Sequence, residues 1–455
     1  MRRRSNKLIY IFMFLLIMAG GGGFYIYTSQ SFERESPKIE ISELIYWNLK
    51  TPIKVKITDN TGISYYKVIL SDGKNETVLA EAKLENPLKE IDLRLKAPKI
   101  GLIFANNVGY LKITAKDNSR WNYFAGNETE KDVKIIIDKK RPSQYIVINS
   151  YMIKRGGTAL VVFKAVDENM KDIYIQTNFE KRFKAVPFYK EGYYIALVAW
   201  PITQNSFRAT VVSTDKAGNV SKSYIKYFLK DVKYKKSIIH LKDSFLKGKI
   251  SDIASEYPET EGMSLVEKFK FVNETLRGIN EKLIEDITSQ VPEKMVKSFS
   301  IKPFYPLKNG AKLGGFGDHR YYYYGKKLVS ESYHLGYDFA SIKQAPIKAS
   351  NKAEVVYAEY NGIYGNMPIL YHGLGLYTLY GHCSAIMVEK GDQVQKGEII
   401  AKTGMTGLAL GDHLHFGTVV QGVEVNPLEW MDKKWIKINI TDIIKDAKKL
   451  INKEI

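Results

Sequence analysis

Cysteine is nearly missing from this chain: Cys383 is the single one in 455 residues. An internal disulfide is therefore impossible, and a cysteine-ligated zinc finger cannot form. Histidine is scarce too, with 7 in all, so where the histidines fall carries information. No arginine patch with interleaved aromatics is present, because the lysines are scattered along the chain. Acidic residues are the minority sign, 49 against 68 Lys and Arg, leaving a formal charge of +19. Such a balance favours polyanionic surroundings, whether nucleic acid, anionic lipid or an acidic polymer, without naming one. Length and a 45% hydrophobic content are those of a globular protein with two to four domains.

What is present begins with the N-terminus. "MRRRSNK" is followed by "LIYIFMFLLIMAGGGGFYIY", a run of about 20 uncharged and mostly apolar residues, which matches a membrane span better than the 7–15 of a signal-peptide core. Arg2, Arg3, Arg4 and Lys7 hold that end in the cytoplasm by the positive-inside rule. The glycines 20–23 weaken the helix, and Ala19 and Gly21 are small enough for a cleavage site, but the length favours an uncleaved single-pass anchor. Residues 1–30 are thus the basic end and the anchor or signal. Everything beyond is exported, which removes nucleic acid as a partner.

Residues 31–231 read as short strands rich in Val, Ile, Tyr and Thr, such as "IKVKIT" and "TALVVFKAVD". A weak repeat aligns Asp59 with Asp167 and Asp117 with Asp215, so two modules are expected, 31–141 and 142–231, each an antiparallel β-sandwich. They resemble the immunoglobulin-like modules of bacterial surface proteins, which act as spacers or binding surfaces. From 232 to 300 the period changes. Leu265, Phe269, Val272, Leu276, Ile279, Leu283 and Ile287 recur at spacings of three and four, a helical stripe, with Ser264 and Glu267 as a capping box. This connector reads as a packed linker, or alternatively as a partner-binding hairpin or a regulatory lid, and removal of a lid at about residue 300 would leave activity equal or higher.

Six of the seven histidines follow residue 315. In "GDHLHF", His413 and His415 are two apart in a β-branched, apolar setting, and in a strand such residues share a face. "SYHLGYDFA" places His334 four residues before Asp338, and "YGHCSAI" holds His382. Catalytic zinc takes three nitrogen or oxygen donors and keeps a fourth position open. Two histidines and an aspartate meet that need and leave further histidines for proton handling. Each histidine alone has an ordinary structural explanation; together, in glycine-punctuated strand sequence, they point to a metal centre.

The series "FGDHR", "HLGYDFA", "APIKAS", "VVYAEYNGIYGN", "LYTLYGH", "VEKGDQVQKGEIIAKTGMTGLALGDHLHF" and "VNPLEW" resembles the lysostaphin-type, or LytM-type, zinc metallopeptidases over roughly residues 305–432. The resemblance implies an antiparallel β peptidase domain at 301–435, followed by a helical tail at 436–455. It further implies Zn2+ on His334, Asp338 and His415, with His382 and His413 as the catalytic histidines, their division of labour open. Arg320 stands where the family often has an arginine, and with Tyr333 it is a candidate substrate contact. His319 is expected to be an exposed loop residue, His372 a structural one, and Cys383 to have no role. "RYYYYGKK" (320–327) is expected to be a loop.

The overall expectation is a mainly β, multidomain chain: an N-terminal transmembrane helix, two immunoglobulin-like sandwiches, a helical connector and a lysostaphin-like peptidase. As a member of that family it would hydrolyse peptidoglycan cross-links, favouring the D-alanyl to diamino acid bond, from the inner membrane with its bulk in the periplasm. Wall-synthesis or hydrolase-complex proteins are candidate partners. The rival expectation is a non-catalytic regulator or scaffold of other wall hydrolases, built on the same fold.

Overall fold

The computed structural model describes residues 7–98, 104 and 107–454. Arg2, Arg3 and Arg4 lie outside the described residues. The chain divides into two compact units, Met1–Arg141 with Thr214–Val220, and Pro142–Ser213 with Ser221–Ile455.

In the first unit, Lys7–Thr28 is a 22-residue helix with no buried residue. At 1.5 Å per residue it is about 33 Å long, the thickness of a bilayer core. The strands that follow are joined in one six-stranded hydrogen-bonded ladder. Two long strands, Ile53–Ser71 and Glu76–Leu95, 19 and 20 residues each, take up their bends in bulges without breaking the ladder. Gly62 sits in one such bulge at φ +112°, where a Cβ would come within 2.9 Å of Pro87. Trp47, Ile57, Ile63, Val68, Leu111 and Val133 fill the core of this unit.

The second unit opens with two four-stranded sheets. One orders Arg182–Lys184, Met170–Thr177, Ala209–Asp215 and Val220–Ile225; the other orders Val186–Pro187, Tyr193–Ala199, Thr158–Val166 and Ser143–Asn149. Their core of Phe163, Phe183, Leu197 and Val211 runs on without interruption into that of the histidine-rich region, through Phe416, Val420, Trp430 and Ile451. Polar contacts seal this seam. Gln421 accepts from Lys184 N–H and donates to the Lys184 carbonyl, and the buried Glu429 carboxylate accepts from Thr158 N–H at 2.9 Å. The helical tail is continuous from residue 433 to 453 and packs on the strands at 143–149 and 158–166.

The connector is helical over 243–254 and 265–288, and Ser264 and Glu267 do form a capping box. Its buried stripe differs from the expected one. Phe271–Leu276 is a π-helical turn, which inserts a residue and shifts the phase. Beyond it the buried positions are Asn280, Ile284 and Thr288, while Ile279 faces solvent at 58% exposure. Phe269, Val272, Leu276 and Ile284 pack with Tyr322, Ile363, Tyr364 and Ile369 of the histidine-rich domain.

That domain is built on an eight-stranded sheet containing Tyr337–Ala340, Leu414–Val420, Leu376–Gly381, Asn366–Tyr371 and Ala353–Tyr360 in this order. Beside it, Asp318–Tyr324 and Lys327–His334 form a hairpin. The segment 320–327, expected as a loop, is therefore mostly strand: tyrosines suit a pleated, half-buried surface, and a two-residue turn joins the arms. Lys236–His240 extends this hairpin by pairing parallel with Asp318–Tyr324.

Candidate active site

Adjacent strands bring the ligand candidates together. Asp338 and His415 are directly opposite in the antiparallel pairing of Tyr337–Ala340 with Leu414–Val420. His334 ends the neighbouring hairpin. Asp338 Oδ1 lies 3.0 Å from His334 Nε2 and 3.0 Å from His415 Nδ1, and the two nitrogens are 3.1 Å apart. His413 sits one strand step before the sheet, its Nε2 3.7 Å from Asp338 Oδ1. His382, at φ +64°, occupies the left-handed region just after Leu376–Gly381, an unusual conformation for a side-chain-bearing residue. Its ring centre is 4.7 Å from that of His413.

Carbonyl partners set the protonation of these rings, since a carbonyl only accepts. His334 Nδ1 donates to Gly315 O at 2.9 Å, His382 Nδ1 to Thr406 O at 2.9 Å and His413 Nδ1 to Gly411 O at 2.8 Å. In the neutral imidazole each then carries its lone pair on Nε2. His334 Nε2 therefore faces the Asp338 carboxylate as acceptor against acceptor, an arrangement that needs a positive centre, a proton or a cation, among the three atoms. Two imidazole nitrogens and a carboxylate oxygen are also the donor set of catalytic zinc. Among the described residues the three form a group able to hold a metal ion. Space is close: a Cβ at Gly336 would stand 2.6 Å from His415 Nε2.

Burial, helped by the neighbouring histidines, pushes His382 down to about 3, so it stays neutral near pH 7. Burial likewise lowers His415, to about 4. Tyr364 packs edge-on against the His415 ring, and its carbonyl accepts from the His382 N–H. Arg320 Nε donates to Asp318 Oδ2 at 3.4 Å, and its Nη2 is 4.0 Å from Asp338 Oδ2.

All five candidates open onto one cavity of about 510 Å³, which Arg320 and Tyr333 also line. His319 lies elsewhere and is no exposed loop residue. It sits in a strand, stacked on Tyr333 at 4.1 Å, with Glu331 at 3.1 Å from its Nε2. His372 also lies away from the cavity, hydrogen-bonded to Thr378. Cys383 is buried against the Tyr380 carbonyl, and burial pushes its thiol up to about 12, leaving it unreactive. What sequence reasoning missed is the connector's share of the lining: Lys242, Phe245, Phe269, Asn273 and Arg277.

A strand-borne His, Asp, His group with two further imidazoles beside it offers the donor set and the proton carriers that a metallohydrolase needs. Residues 332–427 match the family model described as Peptidase family M23, and the C-terminal part of this chain is an M23, LytM-type, domain. The DD-carboxypeptidase/endopeptidase Mpg of Neisseria meningitidis serogroup B is 37% identical over 95 residues, 21% of this chain and 22% of that protein. The peptidoglycan DD-endopeptidase ShyA of Vibrio cholerae serotype O1 is 33% identical over 125 residues, 28% of this chain and 29% of that protein. Among solved structures, the catalytic domain of the antimicrobial peptidase lysostaphin from Staphylococcus simulans is 29% identical, covering 27% of this chain and 92% of that one, at a TM-score of 0.23. The chain thus spans less than a third of the length of these two curated relatives.

Proposed function

We propose that this protein is a zinc metallo-endopeptidase that hydrolyses peptide cross-links of peptidoglycan, with the D-alanyl to diamino acid bond as the favoured target. The observation that carries this reading is the acceptor-only meeting of His334 Nε2 and Asp338 Oδ1, completed by His415 Nδ1, beside two imidazoles whose Nε2 lone pairs are unengaged by carbonyls. His334, Asp338 and His415 would hold the zinc. Zinc bound there supplies Lewis-acid polarisation of a peptide carbonyl.

The chain's own residues do the rest. With Nδ1 of each donating to a carbonyl, His413 and His382 turn Nε2 toward the cavity and would accept a proton from an attacking water and return it to the leaving amine. Gly411 O and Thr406 O keep the tautomers that this needs. Arg320 is placed to orient the substrate backbone beside Asp338. The helix Lys7–Thr28 would anchor the protein in the cytoplasmic membrane with its bulk in the periplasm, and the strand-rich modules, immunoglobulin-like in our reading, would set the reach from that membrane. DD-endopeptidase relatives support the substrate class.

The test is mass spectrometry of muropeptides after incubating the zinc-loaded full chain with cross-linked peptidoglycan, beside a His413→Ala control. Cross-linked dimers should become monomers only with His413 present, and the new ends name the bond. Intact dimers with zinc bound would sink the activity.

A further inference from the structure

The wall that the connector gives the cavity lies outside the M23 match, and it carries a guanidinium. Arg277 follows the π-helical turn directly, and such turns recur at functional sites. Its Nε donates to the Asn273 carbonyl at 3.1 Å and its Nη2 to Asn273 Oδ1 at 3.0 Å. One edge of the planar fork is thus taken by a single residue. Asn273 is itself fixed: it is 1% exposed, and its Nδ2 donates to Ser330 Oγ at 2.8 Å and the Glu331 carbonyl at 3.3 Å, on the strand that ends in His334.

The remaining edge, Nη1 with the outer Nη2 hydrogen, has no partner within hydrogen-bond distance among the described residues. Glu281 Oε1 is nearest as a counter-charge at 3.9 Å, and burial pushes that carboxyl above its ordinary range. The rest of the lining is short of negative charge. Lys242, Arg277 and Arg320 are its cations, and Asp338, already engaged by histidines, is its sole acid among the described residues. An arginine whose fork is held on one edge by Asn273, in the lining of a cleft with more cations than acids, suits a planar oxyanion.

We infer that Arg277 is a specificity-determining residue that recognises a free carboxylate of the substrate's stem peptide, with Asn273 as its positioning residue. The inference rests on the peptidase reading for the kind of substrate, and it assigns to the connector a part in choosing among stems that differ in carboxylate and carboxamide. No covalent step is involved.

The experiment compares two soluble cross-linked muropeptides, identical except that the free stem carboxylates are acids in one and primary amides in the other. Binding of each is measured calorimetrically to the zinc-loaded full chain in detergent, on the His413→Ala background so that neither is consumed. Hydrogen bonds to a charged partner predict that the acid binds about tenfold or more tightly than the amide. With Arg277→Gln that preference should fall to within about twofold, through weaker binding of the acid alone, with zinc content unchanged. Arg277→Lys, which keeps charge and stem, should retain only part of the preference, because a point charge cannot make the paired bonds. It serves if the glutamine variant does not fold. A preference that survives either substitution intact, or no preference in the parent chain, overturns the inference. Cleavage is read separately with His413 present. Failure to cut either muropeptide would refute the activity, while the binding comparison still decides the role of Arg277.

Discussion

Asn280 Oδ1 accepts a hydrogen bond from the Ile363 N–H at 2.9 Å, joining the connector helix to the turn that presents Tyr364 to His415. Both residues are buried, so the amide N–H has no water to fall back on. Asn280→Ala should therefore cost about 1–3 kcal/mol of stability, the range for orphaning a buried donor. Denaturant midpoints of the full chain measure it, and an unchanged midpoint would show that the turn does not depend on the connector.

Metal retention and turnover should separate cleanly between Asp338 and His413. Asp338→Ala removes one of three donors, and its zinc affinity should fall by more than the roughly 10–100-fold that loss of an outer hydrogen-bond partner alone costs. His413→Ala should keep its zinc while turnover drops about 10²–10⁴-fold, the usual weight of a proton-transfer group. Metal analysis beside muropeptide assays distinguishes them. Zinc lost from the His413 variant would move that residue into the ligand set.

Glu429 predicts a pH dependence of stability. Burial, opposed only in part by the Thr158 N–H, raises its carboxyl from 4.5 to about 7. Between those values the folded state holds a proton that the unfolded state has released. Stability is therefore fully present below pH 4.5 and falls as pH rises to about 7, by at most on the order of 3 kcal/mol. Glu429→Gln keeps an oxygen for Thr158 but cannot ionise. Thermal melts should find the variant relatively more stable at pH 8 than at pH 5; identical pH profiles would refute the assignment.

A chain cut at residue 300 should not gain activity, contrary to what a lid-like connector would give. The cut removes Phe269, Val272, Leu276 and Ile284 from the cluster that covers Ile363 and Ile369. Each such side chain is worth about 1.5–3 kcal/mol buried, against a total stability of about 5–15. The expected product is insoluble or melts far below the full chain. A soluble, zinc-binding 300–455 fragment would return the connector to the status of a removable lid.

The i, i+2 pair His413 and His415 was legible because strand alternation leaves few choices for two histidines flanking a leucine. The pairing of Asp338 with His415 was legible only through the family resemblance, since sequence spacing does not give cross-strand register. The connector shows where reading stops. Its stripe was visible up to Leu276, but nothing in the spacing marks a π-turn, so Ile279 was expected inside. Nothing in the spacing singles out Arg277 from the other cations of the connector. The tyrosine run at 321–324 was misread for a related reason: four like residues in a row hide the alternation that would have revealed a strand.

The tail helix has a consequence for how the protein is made. Tyr145 and Tyr193 both place their hydroxyls on Glu454, at 2.5 and 2.6 Å, contacts that span 309 and 261 residues. A polypeptide emerging N-terminus first must therefore leave the strands at 143–149 and 158–166 without their cover while nearly 300 further residues are produced. Contacts of such separation close slowly. Ribosome stalling or proteolysis between residues 416 and 441 would yield a chain whose proposed metal ligands are all present and whose oldest strands in this unit are still bare, a natural substrate for quality control.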